Sequence, residues 1–143
     1  MARAISLWQP WALAWLLPGV KEFETRHWYC GHRGPLLIHA AKKKDGEVRD
    51  FMNSAALREI RKIHHLELED FHFGALIGRV DLIGCSKVED LPAPSEMEDR
   101  WGNWAPGRFA WKRGPNPVIF AHPIQYRGMQ GIFSVPDEVV KEL

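Results

Sequence analysis

The chain has 143 residues, 45% hydrophobic and 26% charged, and 19 Lys and Arg against 18 Asp and Glu leave a formal charge of +1 at pH 7. A chain of that size and composition is expected to form one ordinary globular core, so residues 1–143 read as a single domain, and the near-neutral charge argues against a broad cationic face for duplexes. The longest apolar run, residues 11–17, is far short of the roughly 20 a membrane span needs, and no clean apolar segment follows Arg3 as in a signal peptide, so a cytoplasmic protein with no membrane attachment is expected.

In chain order, residues 4–8 have strand character and run into Gln9-Pro10. Residues 11–17 then read as a short helix, with Pro10 in the first turn where a missing N–H costs nothing, and Pro18-Gly19 stops it. Residues 21–28 alternate, with Phe23, Thr25 and His27 pointing one way and Glu22, Glu24, Arg26 and Trp28 the other, a strand with one conspicuously polar face. After Gly34-Pro35, residues 36–41 form an apolar run read as a buried strand ending in a basic cluster. Residues 45–63 carry Val48, Phe51, Met52, Ala55, Ala56, Ile60 and Ile63 at three-and-four spacing, which predicts one long amphipathic helix whose apolar stripe faces a core.

Between positions 42 and 62 seven cations, among them Lys42, Lys43 and Lys44, stand against four acids, a pattern open to two readings: a modest phosphate-facing rim or a solvated helix face. Residues 74–83 alternate again, Leu76, Gly78, Val80 and Leu82 against Ile77, Arg79, Asp81 and Ile83, as in a barrel strand with glycines where the sheet bends sharply. Residues 91–106 read as a long loop with room for one helical turn, and residues 108–112, 118–120 and 126–133 supply the last strands or strand flanks. Five or six strands and two or three helices without a regular βαβ rhythm predict an α+β barrel. Cys30 and Cys85 are expected to be free thiols, and the histidines lack the paired spacing of a structural zinc site, so neither a metal nor another cofactor is expected.

Six segments in fixed order carry a family resemblance: Ser6-Leu7-Trp8-Gln9-Pro10-Trp11, Gly19-Val20-Lys21-x-x-Glu24-x-Arg26-x-Trp28, Gly34-Pro35-Leu36-Leu37-Ile38-His39-Ala40, Gly78-x-Val80-x-Leu82-x-Gly84-Cys85, Phe109-Ala110-Trp111, and Arg127-Gly128-Met129-Gln130-Gly131-Ile132-Phe133. Over nearly its whole length the chain resembles the ASCH domain family of the PUA-like superfamily. The resemblance implies a closed PUA-like β-barrel of five to six strands with two to three flanking helices. It also implies a cleft lined by the Gln9-Pro10-Trp11 turn and the Lys21–Arg26 strand, suited to single-stranded RNA, a nucleoside or a modified base. Relatives of this kind bind RNA, cut RNA, hydrolyse acylated cytidine, or serve as modules of coactivators, so the fold does not choose the chemistry.

The residues suit that cleft. Bases stack on aromatic faces while cations follow phosphates, and of the seven tryptophans Trp11 and Trp28 are the expected platforms. Glu24 and Arg26 share a strand face, so they can pair with each other or meet one ligand, the guanidinium as a planar fork and the carboxylate as an acceptor. Lys21 precedes the strand and can curl over the same cleft; the alternative is a surface ion pair beside a solvated lysine. Gln9, Lys42, Arg127 and Gln130 complete the expected ligand contacts.

Three functions follow: binding of single-stranded RNA or a nucleobase with metal-independent cleavage, a reader in which nothing reacts, and an N4-acylcytidine amidohydrolase working through Lys21 and Glu24. Cleavage asks for a base, a charge near the phosphorane and an acid. Lys21 or Lys42 can supply the charge, Glu24 or His39 the base, and His39 or Tyr126 the acid, while His39 also reads as a satisfied core histidine. The acylcytidine-hydrolysing relatives carry Lys-x-x-Thr-x-Arg, but here Glu24 stands at the threonine position and Thr25, the sole threonine, is one residue along on the opposite face. No obligate protein partner is evident in the sequence.

Overall fold

In the computed structural model, which describes residues 1–42 and 46–140, the described residues form seven strands and five α-helices. They are β1 (Ala2–Leu7), α1 (Trp11–Ala14), β2 (Phe23–Arg26), β3 (Gly34–Ala40), α2 (Gly46–Met52), α3 (Ala55–His64), β4 (Ala75–Lys87), α4 (Glu96–Trp101), β5 (Phe109–Arg113), β6 (Val118–Gln125), β7 (Ile132–Val135) and α5 (Asp137–Val140). All seven strands join one sheet in the order β2-β5-β4-β3-β1-β7, with β6 also on β4. The mixed α+β class read from the sequence is the class observed, with more elements than expected. The closed barrel is not: among the described residues the end strands β2 and β7, four residues each, do not pair with one another, and the ladder is open.

β4 organises the sheet because it is 13 residues long and serves three antiparallel partners, β3 and β6 along its first half and β5 along its second. Its alternation holds from Gly78 onward, with Val80 and Leu82 buried and Arg79, Asp81 and Ile83 exposed, but the register slip at Ile77 breaks it: Ile77 is buried with Val80 and Leu82, and Leu76 packs in a second cluster with Leu37 and Phe120. Gly78 is obligatory there: a Cβ would lie 2.4 Å from the Val118 carbonyl oxygen and 2.5 Å from Leu16 Cδ1, at the point where the β4–β6 register slips. Only glycine lets two backbones and the Leu16 side chain meet that closely.

The apolar stripe expected as one helix over residues 45–63 is two helices. Ser54 breaks it, its hydroxyl accepting the Leu57 N–H as the N-cap of α3, and a capping serine competes with helical continuation. Leu57 and Ile60 carry the buried side of α3. Lys43, Lys44 and Asp45, part of the basic cluster, lie outside the described residues, as does the side chain of Val48.

Arg113, at the end of β5, is buried against carbonyls rather than carboxylates: Nε donates to Trp15 O at 2.6 Å and Lys21 O at 3.1 Å, Nη2 to Leu17 O at 3.3 Å and Nη1 to Gly114 O at 2.9 Å. It thereby satisfies carbonyls left over after α1 and fixes the turn that delivers Lys21 to β2. Burial pushes its guanidinium below the ordinary value, with Glu22 and Glu98 acting against that.

Candidate functional site

Two clefts adjoin at the segment 128–130. The first, about 890 Å³, lies between β2, α1 and the α4 loop; the second, about 960 Å³, lies between β3 and the chain leaving β6. Ser6, Ala41, Met129 and Gln130 line both, so the divider is a shared wall rather than a solid partition.

The polar face of β2 forms one side of the first cleft. Glu24 and Arg26 share that face as the alternation requires, with Oε2 and Nε 3.7 Å apart. Lys21, however, does not curl over the opening. Its ammonium pairs with Glu24 Oε1, it sits 5.5 Å above the Trp15 ring, and only 1% of the residue is exposed, against 7% for Glu24. The surface pair considered from sequence is thus a buried one, with Glu24 between an inner Lys21 and an outer Arg26. Arg26 also reaches Ser6 O through Nη2 at 3.4 Å, while its Nε finds no hydrogen-bond partner despite being buried.

Trp101 enters this cleft from α4. It is 0% exposed, and its indole N–H is the second buried donor without a partner. Four hydrogen bonds bring it there. The Glu98 carboxylate accepts the Glu22 N–H at 2.7 Å and the Phe23 N–H at 3.4 Å, the Asn103 N–H donates to Thr25 Oγ1 at 2.9 Å, and Arg108 Nη2 donates to Thr25 O at 3.0 Å. Burial raises the Glu98 carboxyl above its ordinary range, partly offset by the two backbone N–H groups and by Lys21. Thr25, bonded in this way to the α4 loop, holds the loop against β2.

The aromatic wall is less exposed than expected. Trp11 packs on Phe51 at 4.6 Å and Trp28 meets Trp111 edge-on at 4.6 Å, so both are half-buried with part of a face to the cleft. Trp8, 38% exposed and also lining the cleft, is the most open of the seven. Trp15, Trp101 and Trp111 are fully buried.

Gln9 does not line either cleft. It is buried, its amide nitrogen donating to His72 O at 3.0 Å and its carbonyl accepting the Leu13 N–H at 3.1 Å, so it ties α1 to the chain before β4. Both of its polar functions are consumed by the fold.

His39 lies under the divider, buried at the end of β3. Nε2 donates to Tyr126 O at 2.6 Å, which leaves Nδ1 as the acceptor for the Ser6 hydroxyl at 2.8 Å. Burial lowers its pKa, with the Tyr126 bond acting the other way, so the neutral ring suits the site. Gly128 presses on this pair: a Cβ there would lie 2.7 Å from His39 Cε1 and 2.9 Å from Ser6 Oγ. Tyr126 stacks on Phe133 at 6.5 Å, and Lys42, Tyr126, Arg127 and Gln130 line the second cleft, Gln130 lining the first as well.

The sequence pattern of the ASCH domain matches residues 5–124. The chain belongs to the ASCH domain family. It is 40% identical over 125 residues to human activating signal cointegrator 1, covering 85% of this chain and 20% of that protein, and 38% identical over 99 residues to the mouse protein, covering 66% and 17%. The chain thus spans about a fifth of the length of these curated relatives. Its fold is similar to that of the ASCH protein of Zymomonas mobilis, with a TM-score of 0.53 at 13% identity, covering 99% of this chain and 92% of that one. A point mutant of that protein gives 0.52 at 16% identity, covering 99% and 94%.

Within this ASCH chain, the six segments fall where the clefts are built, but not all as ligand contacts. Glu24, Arg26, Trp11, Trp28 and Gln130 come together at the first cleft; His39, Tyr126, Lys42 and Arg127 gather at the second; Lys21 and Gln9 lie behind the walls. Sequence reasoning missed Ser6, Trp101 and Arg113. Ser6 stands inside the first motif, but a serine three residues before Gln9-Pro10 carries no chemical signal by itself, whereas Trp101 lies in a Pro- and acid-rich stretch that has no periodicity. No helix among the described residues is long and apolar enough to cross a membrane, and none of their His, Cys, Asp and Glu side chains cluster as a metal site.

Proposed function

We propose that this ASCH chain is a reader of single-stranded RNA, holding one base in the first cleft. The observation that carries the reading is the set of partly open indole faces of Trp8, Trp11 and Trp28 lining the first cleft beside the partly exposed Arg26 guanidinium. A base edge offers carbonyl and ring-nitrogen acceptors together with a face to stack, and Arg26, Arg100 and Arg108 flank the opening for phosphate. Among the described residues Glu24 is the lone carboxylate of the lining, and Lys21 and Arg26 neutralise it.

Recognition without turnover is favoured over RNA cleavage and over acylcytidine hydrolysis because Lys21, Glu24 and His39, three of the expected acid–base groups, are already engaged. Lys21 is bound to Glu24 behind the wall, and both nitrogens of His39 are taken. The deciding experiment incubates the purified chain with labelled single-stranded RNA, duplex RNA and N4-acetylcytidine in the presence of a chelator. Binding of the single strand with every substrate intact is expected; tight duplex binding overturns the reading, and turnover of either ligand replaces it with the corresponding enzyme. Trp8→Ala, which removes a stacking face, and Arg26→Lys, which removes the planar fork but keeps the charge, are each expected to weaken single-strand binding about five- to tenfold.

A further inference from the structure

The second cleft has a composition of its own. Lys42 and Arg127 are exposed at it, Phe73 and Tyr126 offer aromatic surface, and Gln125 and Gln130 add amides; no carboxylate lines it among the described residues. Cations, ring faces and neutral amides without an acid are what a single strand asks of a groove. The stack on Phe133 holds the Tyr126 ring in place before any ligand arrives.

The divider between the clefts is held down. His39 Nε2 binds the Tyr126 carbonyl at one end, and the backbone at Gly128 sits so close to His39 and Ser6 that no side chain fits between them. Beyond Gly128, Met129 and Gln130 are exposed and belong to both clefts. A glycine at this position keeps the ridge low enough for a chain to cross it.

We infer that the two clefts form one path, in which consecutive nucleotides of a single RNA strand occupy the first and second clefts and the phosphodiester joining them passes over Met129 and Gln130. This rests on the assignment of the first cleft to a base of single-stranded RNA and extends it: the ligand is an oligonucleotide, and the second cleft is a separate nucleotide site with Lys42 and Arg127 as its phosphate contacts. The unit recognised is therefore at least two nucleotides long.

The test measures, by quenching of tryptophan fluorescence, the affinities of the full chain for the four ribonucleoside 5′-monophosphates, for dinucleoside monophosphates and for a mixed-base RNA tetranucleotide. The dinucleotides and the tetranucleotide are expected to bind at least about fivefold more tightly than any monophosphate, the lower end of what one further stacked base contributes. In the Lys42→Ala/Arg127→Ala double variant the ratio of tetranucleotide to monophosphate affinity is expected to fall at least about threefold, as two lost phosphate contacts require. Gly128→Ala, which lifts the divider, is expected to lower the same ratio, and a thermal melt establishes that it is folded; should it fail to fold, the surface double variant carries the test alone. Equal affinity at every length, or a ratio unmoved in the double variant, overturns the two-cleft path while leaving a base site in the first cleft. Absence of binding by any of these ribonucleotides overturns the RNA reading and the path together.

Discussion

The two sides of the divider handle buried polarity by opposite means. On the β2 side, three charges, Lys21, Glu24 and Arg26, are drawn into or beside the core and satisfied largely by one another. On the β3 side, His39 is buried as deeply but is neutral, satisfied by a hydroxyl and a carbonyl. A buried ion pair is costly to break because the surviving charge is stranded, whereas a neutral pair loses only a hydrogen bond and its desolvation. The first arrangement therefore makes the ligand wall inseparable from stability, and the second makes the divider sensitive to pH.

The largest expected effect breaks the charged side. Glu24→Gln strands Lys21, and urea denaturation is expected to show a loss of about 3–5 kcal/mol, against the small loss that an exposed pair would give. Replacing both partners, Lys21→Met with Glu24→Gln, removes the stranded charge and is expected to recover much of that stability. A double variant as unstable as the single one would mean that the wall is held by packing rather than by charge.

Ser6→Ala tests the neutral side and is expected to cost less, about 1–3 kcal/mol, because His39 Nδ1 loses its donor while the ring stays uncharged. A loss as large as that of Glu24→Gln would erase the distinction between the two regions.

Acid sharpens the same contrast. The folded pKa of His39 lies below its ordinary 6.5 because burial outweighs the Tyr126 bond. Between those two values the unfolded chain binds a proton that the folded chain does not, so this contribution is fully present above about pH 6.5 and is lost as pH falls toward the folded pKa. Urea midpoints taken at pH 7.5 and 5.5 are expected to drop more in the wild type than in His39→Gln; equal drops would exclude His39 as the source.

The smallest effect on stability is expected from Arg100→Ala. Its pair with Glu59, at 2.7 Å, is between two exposed side chains and contributes about 0–1 kcal/mol. RNA affinity should nevertheless fall, and the salt dependence, expected to correspond to roughly two to four phosphate contacts in the wild type, should lose about one contact. An unchanged salt slope would remove Arg100 from the ligand path.

Local order in the sequence was enough for most of the elements and for one wall of the site. The alternation of residues 78–83 determined which side chains of that part of β4 face the core, and the period of two in β2 put Glu24 and Arg26 on one face, as a pleated strand requires; the slip at Ile77, which exchanges the sides read for Leu76 and Ile77, comes from the pairing with β3 and β6. The core role of the stripe in α3 is legible for the same reason at Ile60, though Ile63 is exposed, the capping side chain of Ser54 divides what periodicity alone reads as one helix, and α1 ends at Ala14, short of the stop read at Pro18-Gly19. What periodicity cannot express is depth and distant company. Whether Lys21 lies over the cleft or beneath it depends on Trp15 and on Arg113, which is 92 positions away along the chain. His39 meets Ser6 across 33 positions and Tyr126 across 87, and Trp101 reaches β2 only because Glu98 and Asn103 anchor its loop there. Closure of the sheet was likewise a matter of whether β2 and β7, at opposite ends of the strand order, come to pair. Strand faces follow from bonds between neighbours in the chain, but burial, donor partnership and the wall that two clefts share follow from segments that meet only after the chain has folded.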